Sequence, residues 1–132
     1  MLNTTPPRPR RLLTAGAFAL LVLQAPAQAL NLNDAVFSEE QAKIGRRLYR
    51  EHCATCHVET YFEAVMRVWN GEPLSELFSV MAAIMPQNNP GSLTDQEYID
   101  VLAYIISASG YPQGELPLTP SDLRNIDIQP LQ

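Results

Sequence analysis

No run of lysine or arginine occurs beyond the extreme N-terminus, and the 132-residue chain carries 14 acidic against 9 basic residues, a formal net charge of −5. The cationic face that a nucleic-acid binder needs is therefore missing. No strand-like alternation, internal repeat or low-complexity tract interrupts the chain, which excludes the β and solenoid classes and leaves an all-α domain. The acidic residues show no paired arrangement suited to general acid–base chemistry. Charged residues are scarce at 17% while apolar ones make up 46%, a balance that excludes wholesale disorder. Cysteine and histidine are scarcer still, two of each. Yet Cys53, Cys56 and His57 fall within five positions of one another.

The apolar run 12–23 is twelve residues long, short of the roughly 20 that a membrane-crossing helix requires. Arg8, Arg10 and Arg11 precede it, and the small residues of Ala27-Gln28-Ala29 follow it. A basic start, a short apolar centre and a small-residue end predict a secretory signal peptide over 1–29, cleaved after Ala29, with Ala27 as the second choice and an uncleaved anchor as the alternative. Cleavage leaves a single domain over 30–132 with 6 basic and 14 acidic residues, a charge of −8. Export implies the periplasm, where a neighbouring cysteine pair is oxidised unless other chemistry claims it.

Ser38 with Gln41, Thr60 with Glu63 and Thr94 with Glu97 each fit a capping box, so helices are expected over about 38–52, 60–69 and 94–109. Ile44, Leu48 and Tyr49 should face inward from the first. Gly45 in its interior is unfavourable for a helix and predicts the close approach of another. Asn70-Gly71 should end the second helix in a left-handed turn. Pro73 should occupy the first position of a third helix carrying Leu74, Leu77, Phe78, Met81 and Ile84. A loop over 86–92 follows. In the last helix, Tyr98, Val101, Leu102 and Ile105 share a face, and Gly110 with Pro112 ends it. The irregular, proline-rich tail from about 111 is expected to wrap the surface.

Cys53-Ala54-Thr55-Cys56-His57 has the Cys-x-x-Cys-His spacing of c-type haem attachment. Two thiols three positions apart can add to the vinyl groups on one porphyrin edge, and the adjacent His57 is then directed at the iron. A thioredoxin-like dithiol would need a βαβ setting. A structural zinc site would need ligands from separated segments, and His52, Cys53, Cys56 and His57 are too local. His52 is too close to the motif to reach the far face of a haem. The sixth iron ligand is then a methionine or is lacking. Met66 and Met81 fall at core spacing within helices, whereas Met85 falls where a helix gives way to a proline-rich loop, so Met85 is the expected ligand. Trp69 is expected to pack in the core, with its indole N–H available to a haem propionate. Lys43, Arg46, Arg47 and Arg50 gather on the first helix as a solvated face, or alternatively as a docking patch for a redox partner.

Taken together, Gly45, Tyr49, the Cys53–His57 motif, Trp69-Asn70-Gly71, Leu77-Phe78, Met85-Pro86, Pro90-Gly91-Ser92-Leu93 and the stretch from Tyr98 to Ile105 resemble a class I c-type cytochrome. Gly110-Tyr111-Pro112-Gln113-Gly114 and Leu118 continue the likeness. The pattern is similar to the small cytochrome c domains associated with pyrroloquinoline-quinone dependent dehydrogenases and covers about residues 41–126. The resemblance implies about four helices around one covalent haem c, with the first and last crossing at Gly45 and Tyr98–Leu102. It also implies Met85 as distal ligand and a non-enzymatic electron carrier. The donor would be a dehydrogenase and the acceptor another cytochrome or an oxidase. Alternatives are a haem-based sensing module with an open iron, and a subunit held permanently in a dehydrogenase complex. One departure stands out. Such domains usually follow the histidine with a glycine-rich loop and a Gly-Pro-x-Leu stretch whose proline carbonyl orients the ligand. Here Val58-Glu59-Thr60-Tyr61-Phe62 follows, and no proline occurs before Pro73.

Overall fold

Gly45 decides how the two longest helices meet. The computed structural model describes Met1 and residues 29–132; the expected export signal falls almost wholly on 2–28, outside the described residues. Helices α1 (Glu39–His52) and α4 (Asp95–Ala108) cross so closely at Gly45 that a Cβ there would sit 1.7 Å from the Asp100 carbonyl oxygen. Only a residue without a side chain allows that approach. The stripe of α1 buried by the crossing is Gln41, Ala42, Gly45 and Tyr49. Ile44 and Leu48, expected to face the core, are only half-buried. The tight crossing turns the stripe centred on Gly45 inward, and these two larger residues fall beside it.

Helices α2 (Tyr61–Val68) and α3 (Leu74–Ile84) complete the all-α fold, joined by 3₁₀ turns at Leu32–Asp34 and Leu123–Asn125. The core gathers Leu32, Phe37, Met66, Leu74, Ile99, Leu102 and Ile106, all at most 5% exposed. The α4 start behaves as its sequence demands. Thr94 accepts from the Glu97 N–H while the Glu97 carboxylate accepts from the Thr94 N–H at 2.8 Å, the reciprocal pairing of a full capping box. That pairing holds the Glu97 carboxyl below the usual carboxylate range. Gly71 and Gly110 end their helices with φ of 89° and 92° as expected.

Three local expectations fail for physical reasons. Thr60 has helical dihedrals and makes no side-chain cap, so the second capping box does not form. Pro73 is the extended residue before α3 rather than its first helical position, and its carbonyl accepts from the Glu76 N–H at 3.0 Å. Ser38 does cap α1, accepting from the Gln41 N–H, but Gln41 does not return the bond. Its amide is buried instead, donating to Leu118 O at 2.9 Å and Asp100 Oδ1 at 3.1 Å while accepting from Leu118 N–H at 2.8 Å.

That amide is one of the ties that draw the tail inward, and the expectation of a tail wrapping the surface is corrected. Tyr111, Leu118, Leu123, Ile126 and Ile128 are all buried in the core. Ile126–Asp127 (β2) pairs in parallel with Leu30–Asn31 (β1), a two-residue ladder too short to leave an alternating pattern. Ile128 exchanges backbone bonds with Gly71 and Glu72 at 2.7 and 2.9 Å, so the tail also pins the α2–α3 turn. Replacing Gln41 by alanine strands the buried N–H and carbonyl of Leu118, while Asp100 keeps its bond from Gln96 Nε2 at 2.8 Å. The expected loss is about 2–4 kcal/mol of unfolding free energy, read as a lowered urea midpoint.

Candidate haem site

The Cys53–His57 motif forms a tight turn where α1 ends. The Cys53 N–H still donates to Tyr49 O at 2.8 Å, as does that of Ala54 at 2.9 Å. The Cys53 carbonyl then collects the N–H groups of both Cys56 and His57 at 3.1 and 3.0 Å. This winds the three chemically active side chains into one turn. Both cysteines are free, Cys53 half-buried and Cys56 exposed. Burial pushes the Cys53 thiol up. That direction is the opposite of the lowering that a reactive redox thiol needs. Among the described residues no group of three His, Cys, Asp or Glu is placed to hold a bare metal ion.

His57 is fixed through its backbone and its ring. Its carbonyl accepts from the Tyr49 hydroxyl, and its ring stacks on that of Tyr61 at 5.3 Å with 24° between planes. On α4 the Tyr104 hydroxyl donates to the Glu59 carboxylate, two residues beyond His57. The proton of Tyr104 is held to about 12, first by burial and then by Glu59 as acceptor and negative charge. The unfolded chain loses that proton near pH 10. The contribution is therefore whole below about pH 10 and is lost progressively as pH rises toward 12. Melting temperature should fall across that window, and Tyr104→Phe should make the fall shallower.

Met85 stands just past α3, its N–H donating to Met81 O at 2.9 Å and its carbonyl accepting from the Tyr98 hydroxyl at 2.5 Å. Tyr98 and Tyr104 lie six positions apart, or about 9 Å along the helix axis. Helix α4 thus ties down both the Met85 segment and the loop after His57. The sequence had marked both tyrosines as part of a family pattern without revealing what their hydroxyls hold. Glu59 carried no sequence signal at all, because its partner lies 45 positions away.

A band of apolar residues is only partly covered by the rest of the fold. Val65, Trp69, Phe78, Met81 and Ile105 rest against the main core without being buried in it. Ile105 also reaches the second cluster of Tyr49, Phe62 and Tyr104, which Cys53 joins. Met66 is buried, as its spacing suggested, and Met81 is half-buried. A half-covered apolar band beside the Cys53 thiol, with the Cys56 thiol exposed in the same turn, fits a flat, apolar macrocycle attached at one edge, so the donor set and its surroundings suit haem. Trp69 follows α2 with its N–H bonded to Val65 O, its side chain in that band. Lys43, Arg46, Arg47 and Arg50 are exposed; Lys43 pairs with Glu39 at 2.9 Å, and among the described residues no carboxylate pairs with the three arginines. These cations form a solvated face.

Four helices, a Cys-x-x-Cys-His turn and a half-covered apolar band together define a c-type cytochrome domain. The family model described as cytochrome C oxidase, cbb3-type, subunit III matches residues 40–105, half of the chain, and the chain belongs to that family. No curated protein and no solved structure matches it. The match begins at α1 and ends within α4, so it contains the crossing at Gly45, the attachment turn and Met85.

Proposed function

We propose that the chain is a periplasmic monohaem cytochrome that carries single electrons from a dehydrogenase to a downstream cytochrome or oxidase. The observation that carries this reading is the attachment turn at the end of α1, set against the half-covered apolar band. Only two cysteines are present, enough for one attachment motif and one haem. Cys53 and Cys56 would hold the ring, each S–H adding across one vinyl double bond so that sulfur and hydrogen end on adjacent carbons without oxidation or reduction. His57 would supply one axial nitrogen and Met85 the opposite thioether.

The haem supplies a one-electron iron couple. With His57 and Met85 both holding the iron, no place would be left for a substrate, and the His/Met pair would raise the potential, which suits transfer rather than catalysis. The Tyr98 hydroxyl, which holds the Met85 backbone, would support that site, and the Trp69 indole N–H would be available to a propionate. Among the described residues no helix is long and apolar enough to cross a membrane. The resemblance of the chain's sequence motifs to domains associated with quinoprotein dehydrogenases is what favours a dehydrogenase as donor.

The test is to express the full chain in a host that matures c-type cytochromes. Haem that stays with the polypeptide through acid–acetone extraction, with one reversible one-electron wave, supports the carrier. Haem that extracts completely, or a chain recovered without it, overturns the reading.

A further inference from the structure

Residues 58–61 are all exposed, Val58 at 67% and Tyr61 at 51%, so packing does not hold the loop that follows His57. No proline stiffens it before Pro73. Its internal bonds are two backbone contacts, Tyr61 N–H to Val58 O at 2.9 Å and Phe62 N–H to Glu59 O at 3.1 Å. What ties it to the rest of the fold is a pair of tyrosines from the rigid crossing. Tyr49 and Tyr104 lie with ring centroids 5.2 Å apart, and Phe62 closes the cluster edge-on to both. Both rings are buried, and a phenol in such a setting must find an acceptor within reach. Tyr49 finds it on the His57 carbonyl and Tyr104 on the Glu59 carboxylate.

We propose, on the basis of the haem reading above, that Tyr104 and Glu59 are positioning residues for the axial histidine. Their hydrogen bond closes a clamp in which Tyr49 holds the His57 peptide, Tyr104 holds the loop two residues on, and Tyr61 backs the imidazole. The orientation of His57 is thereby referred to the α1–α4 crossing rather than to a stiff loop.

The test uses the exported, haem-loaded protein and four variants: Tyr104→Phe, Glu59→Ala, Glu59→Gln and the double variant Y104F/E59A. Two readouts follow: the hyperfine-shifted proton signals of the haem methyls and His57 ring in the oxidised protein, and deuterium exchange at the His57 amide in both the oxidised and the reduced protein. Y104F and E59A should each speed His57 exchange about tenfold and move the hyperfine signals, with Leu102 exchange in α4 unchanged. The double variant should do no more than either single one. E59Q, which keeps an acceptor oxygen, should fall between them and the parent. Unchanged hyperfine signals and His57 exchange in the single variants would overturn the clamp. So would additive effects, or Leu102 exchange rising in step with His57. Should Y104F fail to fold, the E59A and E59Q comparison at an exposed residue decides. A parent chain without covalent haem overturns the functional reading itself, whereas a haem-loaded parent with insensitive variants overturns only the clamp.

Discussion

Gly45→Ala is expected to remove a large share of the stability of the fold and to lower haem attachment with it. The added Cβ would meet the Asp100 carbonyl oxygen at 1.7 Å, its carbon at 2.4 Å and the Tyr104 Cβ at 3.0 Å. The first two are backbone atoms inside a helix, so no side chain can swing aside. Overpacking a core with a methyl group usually costs about 1–3 kcal/mol. Here two 14-residue helices must part along their shared face, so the loss should be about 4 kcal/mol or more, a large share of the ordinary 5–15 kcal/mol. Parting them also displaces Tyr49 from His57 and α4 from the attachment turn. Urea unfolding and covalent haem per chain should therefore fall together. Gly91→Ala is the control. It has a φ of 70° and no atom within 4 Å of the added Cβ, so its cost should be only about 1–2 kcal/mol of backbone strain, with haem content unchanged.

Met85→Ala should leave the chain folded and haem-loaded but open the iron. The Met85 backbone is tied by bonds to Met81 and Tyr98, and those ties survive truncation of the side chain. Only the proposed thioether is lost. The reduced variant should pass from no carbon monoxide binding to full occupancy under saturating gas, and its potential should fall, since a His/Met pair raises it. Met81→Leu, one helical turn earlier, separates ligation from packing. It should remain inert to the gas and lose at most about 1.5 kcal/mol, as a volume-conserving swap. A gas-binding Met81 variant beside an inert Met85 variant would transfer the ligand to Met81.

The elements legible in the sequence are those set by local rules. The Thr94 box, the left-handed ends at Gly71 and Gly110 and the close approach at Gly45 each depend on residues a few positions apart, or on the absence of a side chain. The Cys-x-x-Cys-His turn is equally local, since its geometry comes from the last turn of α1. Where the reading failed, a distant partner outbid the local one. Gln41 could have returned the bond to Ser38 at an exposed helix end. It binds Asp100 and Leu118 instead, 59 and 77 positions away, where a buried amide satisfies three polar groups. Glu59 is drawn to Tyr104 in the same way. The tail misled through its prolines, which erase any period. Its buried residues are spaced irregularly by turns, and its ladder of two residues carries no alternation to detect. Ile44 and Leu48 followed the helical period correctly but lie beside the buried stripe, because Gly45 sets the rotation of α1 about its axis.

The measurement that bears most directly on the central claim is the absorption spectrum of the exported protein, oxidised and then reduced with dithionite, with and without carbon monoxide. Ligation by His57 and Met85 predicts a covalent c-type spectrum with the weak far-red iron–thioether band when oxidised, and a reduced spectrum that carbon monoxide leaves unchanged. A spectrum without that band that shifts on adding the gas would contradict the account, remove Met85 from the iron and make a ligand-sensing domain the better description.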